Sequence, residues 1–331
     1  MAFFCKSAVW CAGVMLILLG IFLSISFGAV DISPGTVREA VLQYDPGQNM
    51  HTVIREIRLP RAVAGAIVGA AFAVAGAIMQ GLTRNPLADS GLLGLNAGAG
   101  LVLALCFALV PNLPYSSLMV FCFLGAAVGA ALVFGVSSFA RGGLTPLRLT
   151  LAGAAVSSLL IALSEGIAIL FRIGQDLAFW YAGGLGGTQW LQIKWSFPWI
   201  AGAVFAAILL SRSITLLSMG DEVARGLGQH IFIVKVACMI IVVILAACAV
   251  SLAGPVAFVG LVVPHIARMV VGLDYRWIIP YSALFGSILM IYADLAARMV
   301  RPPYETPVGA LIALIGVPVF LFLSRKEKRV L

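Results

Sequence analysis

Apolar residues in this chain gather into long runs separated by charge, proline and glycine. Ten such runs can be marked: 8–30, 62–82, 93–110, 117–140, 149–171, 197–211, 231–253, 255–272, 277–297 and 306–323. A helix needs about 20 predominantly apolar residues to cross a bilayer, so each run predicts a membrane helix, the sixth being short. The first run follows a lone Lys6 and ends in small residues, as a signal peptide does, but it is too long for the apolar segment of one and predicts a retained span.

Within the runs, small residues recur every fourth position at Gly65, Gly69, Ala73 and Ala77, and again at Gly125 and Gly129. This spacing lets helices approach closely in lipid, where no hydrophobic force drives them together. The fifth run carries polar residues at heptad spacing: Ser157 with Ser164, and Ser158 with Glu165 and Arg172. Two helical turns separate the members of each set, which predicts a polar face. A carboxylate at membrane depth faces protein or a water-filled cavity, so the face suits either the lining of an aqueous path or a buried helix contact.

Composition closes off most other classes. Of 331 residues, 62% are hydrophobic and 10% charged, and the mean hydropathy is +1.09; a soluble domain carries about 25% charge. Ten spans use roughly 200 residues and leave about 130 for loops, termini and surface helices, so the chain reads as one membrane domain, 1–331. The net charge of +8 calls for no nucleic acid, because cations at helix ends anchor and orient membrane proteins. An even number of spans puts both termini on one side. With the termini inside, 13 of the 21 basic residues are internal: Lys6, Arg84, Arg141, Arg148, Arg212, Arg225, Lys235, Arg268, Arg276, Arg325, Lys326, Lys328 and Arg329. Cytoplasmic termini are therefore expected.

The outer side is unusually arginine-rich, with Arg38, Arg55, Arg58, Arg61, Arg172, Arg298 and Arg301 against a single Lys194. Headgroup anchoring and pairing with Glu56, Asp294 or Glu305 is one account. The other is a docking surface for an acidic partner, where the planar guanidinium outcompetes an ammonium by binding carboxylates bidentately.

Catalytic signatures are missing. A phosphate-binding loop needs Lys after Gly, and no Gly-Lys dipeptide occurs. His51, His230 and His265 are scattered, and Cys5, Cys11, Cys106, Cys122, Cys238 and Cys248 form no CxxC, which argues against a metal site or a disulfide framework. His265 follows Pro264, which frees a backbone carbonyl that an imidazole or a water can satisfy. The longest inner polar segment, 211–230, places Asp221 and Glu222 after Gly220 and ends with Gly226 and Gly228. It predicts a short, stiff surface helix that either lies on the membrane or meets a cytoplasmic protein.

Five ordered segments, RLPR at 58–61, GAIMQGLTRNPLADSGLLGLNAGAG at 76–100, GDEVARGLG at 220–228, AGPVAFVGLVVPHIAR at 253–268 and ADLAARMVRPPYETPVGA at 293–310, resemble the FecCD-type permeases of ATP-driven importers for iron-siderophores, haem and cobalamin. Ser90 departs from the proline usual there. The resemblance covers nearly the whole chain. It implies the all-α architecture of a type II ABC importer permease in the bacterial cytoplasmic membrane, with ten transmembrane helices and both termini cytoplasmic. It further implies a second permease chain, identical or paralogous, two cytoplasmic ATPase subunits that carry ATP and Mg, an extracytoplasmic substrate-binding protein, and no cofactor in this chain. By the same resemblance, Asp221, Glu222, Arg225, Gly226, Leu227 and Gly228 form the helix that couples to the ATPase. Arg58, Arg61 and Arg298, with their neighbours Arg55 and Arg301, dock the binding protein. The fifth helix with Ser157, Ser158, Ser164 and Glu165, the segment 179–187 and the tenth helix line and gate the path. Iron-siderophore uptake by alternating access is the first expectation, with haem or cobalamin next. A proton-coupled transporter using Glu165, Asp294 and His265 and a non-transporting membrane scaffold are the readings from other classes.

Overall fold

The computed structural model describes residues 2–28, 30–139, 146–302 and 304–327. Arg141, Pro303, Lys328 and Arg329 lie outside the described residues. Among those described, the regular structure is all helical: α1 (Ala2–Ser26), α2 (Pro34–Leu42), α3 (Asn49–Thr52), a π-helical segment (Val53–Arg58), α4 (Leu59–Thr83), a 3-10 turn (Ser90–Leu93), α5 (Leu95–Leu109), α6 (Tyr115–Phe139), α7 (Pro146–Phe171), α8 (Gly174–Tyr181), α9 (Trp190–Met219), α10 (Asp221–Gly226), α11 (Ile231–Ala253), α12 (Val259–Val271), α13 (Tyr275–Met299) and α14 (Val308–Glu327).

Every apolar run is a helix, but ten full crossings do not follow from helix length. Among the described residues seven helices are long and apolar enough to span a membrane, whereas the apolar helices Leu95–Leu109, Val259–Val271 and Val308–Leu321 are shorter. At 1.5 Å per residue α12 covers about 20 Å. It is cut short because Gly254 and Phe258 both take left-handed backbone angles, which breaks the run that starts at 255. The sixth span, expected to be short, is instead the 30-residue α9. Lys194 and Arg212 interrupt its hydropathy but not its helix, so residues 211–219 continue the helix and do not form a loop. The second span is longer too. Asn49–Thr83 runs as 35 continuous helical residues, about 52 Å, so Arg55, Arg58 and Arg61 sit on a helix and not on a flexible loop.

Helix α4 is the axis of the fold and packs against α1, α9, α11, α12 and α13. Its small-residue stripe makes this possible. A Cβ on Gly69 would lie 2.1 Å from the Gly286 carbonyl oxygen of α13, so only a bare backbone fits at that crossing. Gly98 of α5 meets Gly125 of α6 in the same way, with its Cβ position 2.2 Å from the Gly125 oxygen.

One buried side chain escaped the sequence reading. Pro264 inside α12 cannot donate to the carbonyl four residues back, and that carbonyl belongs to Gly260. Neither an imidazole nor a water is needed to satisfy it: Gln80 Nε2, on α4, donates to Gly260 O at 3.1 Å and to Leu261 O at 3.2 Å, while Arg268 donates to Gln80 Oε1. Gln80 is 2% exposed. Replacing it with Leu is expected to cost about 1 to 3 kcal/mol, the penalty for stranding buried polar groups. The check is a lower yield of monodisperse protein in detergent, with Gln80→Glu intermediate because it keeps the acceptor for Arg268.

Candidate functional sites at the two ends of α4

Two charged assemblies sit at opposite ends of α4. From Arg61 to Arg84 the helix rises about 35 Å, which separates them by a bilayer's thickness.

At the C-terminal end, α9 stops at Gly220, whose φ of +127° turns the chain into α10, and Gly228, at φ +80°, turns it back towards α11. L side chains rarely adopt such angles, and so the glycines are needed at these two bends. Ala224 is fully buried beneath α10, Gln229 Nε2 donates to Ser213 O of α9 at 3.1 Å, and Asp221 pairs with Lys235 of α11 at 2.6 Å and with Arg84 at 3.8 Å. Glu222, Val223, Arg225, Gly226, Leu227 and Gly228 are exposed. The six residues expected to couple thus divide: Asp221 faces this chain, and the other five face outward around an apolar tip, Leu227, that is 65% exposed. Close by, Asp274 caps α13, and hydrogen bonding from Arg276 holds its carboxyl below the usual carboxylate range.

At the N-terminal end the arginines are not a free array. Arg61 grips Asp294 of α13, its Nε 3.1 and 3.0 Å from the two carboxylate oxygens and its Nη2 2.9 Å from Oδ1, and its Nη1 reaches Glu305 at 2.5 Å. Arg298 approaches Asp294 at 3.3 Å and donates to Ser24 O at 3.1 Å. Arg58 donates to the carbonyls of Ile25 and Ser26, the last residues of α1, and of Val30 beyond it. All three are buried. Of the two accounts of this end, pairing with Asp294 and Glu305 is the one seen for Arg61 and Arg298 in this conformation, and together with Arg58 they tie α1, α4 and α13. A buried guanidinium requires such partners, since an unpaired one is strongly unfavourable. Arg55 and Arg301 are the exposed members, stacked on Tyr44 and Tyr304 with the guanidinium carbon 4.6 and 5.5 Å from the ring centres.

The polar residues of α7 do not share one face. Ser164 is buried and donates to Gly100 O at 3.3 Å, and Ser157 is half-buried on the same side. Ser158 and Glu165, one residue on and hence about 100° round the helix, are exposed. Only 22% of the apolar window of this helix is buried within the chain, which leaves its outward face open to another surface. Beside it, α8 and the glycine segment 183–187 cover a cavity of about 480 Å³ lined among others by Arg61, Asp176, Trp180, Ser251 and Glu305. Among the described residues, no three or more His, Cys, Asp or Glu side chains are grouped to hold a metal ion. Asp294 is occupied by two arginines, which leaves a relay from Glu165 through His265 to Asp294 without geometric support.

An all-helical, multi-pass membrane protein with an exposed finger at one end and a fastened arginine cluster at the other has the build of a transport permease subunit. Comparison with known proteins agrees: residues 16–326 match the model of the FecCD transport family, and the chain belongs to that family. It is a transport component, not an enzyme. It is 51% identical over 320 residues to the iron(3+)-hydroxamate import system permease FhuB of Bacillus subtilis, covering 96% of this chain and 83% of that one. To the hemin transport system permease HmuU of Yersinia pestis it is 38% identical, covering 96% and 95%. Its structure superposes on an inward-facing metal-chelate type ABC transporter with a TM-score of 0.85 at 27% identity, covering 97% of this chain and 99% of that one.

Proposed function

We propose that this chain is the membrane permease of an ABC importer for a ferric siderophore, with a hydroxamate as the first candidate. Its 51% identity to a hydroxamate importer permease carries the choice of substrate. The geometry supports the division of labour. The α10 finger and both termini face the cytoplasm, and the finger's tip seats in one of two ATPase subunits that bind ATP with Mg. The exposed face of α7, with Ser158 and Glu165, lies against a second permease chain along the path. A binding protein delivers the chelate to the arginine-rich end, and ATP-driven alternating access moves it. The test is reconstitution of the permease pair, ATPase and binding protein in vesicles with radiolabelled ferric hydroxamate, haem and cobalamin. Uptake of the hydroxamate on ATP hydrolysis is expected; uptake of haem or cobalamin alone would move the substrate assignment, and transport without the ATPase would end the reading.

Docking then falls first to Arg55 and Arg301, which are presented to solvent, and not to the three buried arginines. Charge reversal at both, Arg55→Glu with Arg301→Glu, is expected to slow association of the binding protein by about tenfold at low salt and progressively less as salt rises, since rim charges act mainly on the on-rate. Surface-plasmon kinetics on the reconstituted complex measures this, and a salt-independent affinity would count against the assignment.

A further inference from the structure

The finger that meets the ATPase is hung between two glycines with left-handed backbone angles, Gly220 and Gly228. Ala224 and Gln229 tie this six-residue helix chiefly to α9, so with no further tie a push on its tip would pass to α9 and not directly to the central helix. Building on the permease reading, we propose that Asp221 is a positioning residue that supplies that further tie. Its carboxylate fastens the first turn of α10 both to Lys235 on α11 and to Arg84 at the foot of α4, so displacement of the finger is delivered to the central helix of the fold.

Three observations carry the assignment. Asp221 is the one residue of the acidic pair that turns inward, its side chain 35% exposed, while its neighbour Glu222 faces outward. The two partners belong to different elements, Lys235 to α11 and Arg84 to the C-cap of α4, so the carboxylate is a junction and not a local pair. The helix reached through Arg84 runs unbroken to Arg61, which holds Asp294 and Glu305 at the opposite end; α4 is thus gripped by ion pairs at both of its ends. Half-exposed pairs of this kind add little to stability. Loss of the junction should therefore leave the protein folded and alter only how motion is passed on.

The experiment uses the complete complex in vesicles and reads radiolabelled ferric hydroxamate moved per ATP hydrolysed, alongside the amount of ATPase retained on the permease. Asp221→Asn and Lys235→Gln are each expected to lower the ratio three- to tenfold with the ATPase retained. The double variant should be no worse than the more severe single, because both remove one link, and Lys235→Arg should restore the ratio. An unchanged ratio, effects that multiply, or loss of the ATPase from the Asp221→Asn complex would overturn the proposal; the last would make Asp221 a contact residue. Should Asp221→Asn not accumulate, Lys235→Gln and Arg84→Gln decide the matter, since each removes a different link. Their double variant should lower the ratio at least as far as either single with the ATPase retained, and an unchanged ratio in the double variant would overturn the proposal. A wild-type complex that hydrolyses ATP and moves no chelate would instead strike at the permease reading itself.

Discussion

Replacing Asp294 with Asn should lower the temperature at which the detergent-solubilised protein loses its monodisperse state by roughly 5 to 10 °C. The carboxylate is 2% exposed and serves Arg61 and Arg298 together. Its removal strands two buried guanidiniums, and breaking a buried pair by deleting one partner costs about 3 to 5 kcal/mol. Arg61→Gln should be milder, since Arg298 continues to pair with Asp294. Glu305→Gln should be near neutral: Glu305 is 56% exposed and water replaces much of what it loses. The order Asp294→Asn, Arg61→Gln, Glu305→Gln is the specific content, and equal shifts in all three would refute the network. Arg61→Lys tests geometry over charge. An ammonium cannot reproduce the bidentate grip, so Lys should restore only part of the lost stability.

The same cluster shows what a sequence can and cannot disclose. Membrane class, helical content and the run of α11 at 231–253 were legible, because unbroken hydropathy bounded by Gly254 and His230 leaves little choice. Helix α9 was truncated in that reading, because a window of hydropathy ends at a charge while a helix does not: Lys194 and Arg212 ride on it at its two ends. The arginine-rich end was visible as composition, but the sequence left pairing and docking both open for Arg58, Arg61 and Arg298, which the fold buries. Asp294 lies only four residues before Arg298, but Arg61 reaches the same carboxylate across 233 residues and Arg58 reaches carbonyls around the end of α1, contacts that no local spacing announces. Gln80 had a signal that went unused, a lone amide inside a stripe of small apolar residues. Heptad spacing on α7 was correctly seen, but two heptad series offset by one residue occupy two faces.

Replacing Leu227 with Asp should abolish most uptake, by more than tenfold, with the protein accumulating normally in the membrane. The residue is 65% exposed at the tip of the α10 hairpin, so a carboxylate there is freely hydrated and leaves the fold untouched. Against a partner it acts differently. An apolar tip seated in a groove loses its contact area, and a buried unpaired charge takes its place, which is strongly unfavourable. The ATPase should therefore dissociate from the purified complex, which separates this variant from Asp221→Asn, where the ATPase stays bound and only the transport yield falls. Glu222→Gln sits between the two: it is exposed beside the tip, and loss of a rim charge is expected to weaken association a few-fold. Retention of the ATPase together with full uptake in Leu227→Asp would show that the finger is not where the two subunits meet. The exposed apolar tip, the two left-handed glycines and the Asp221 junction would then need a different partner to explain them.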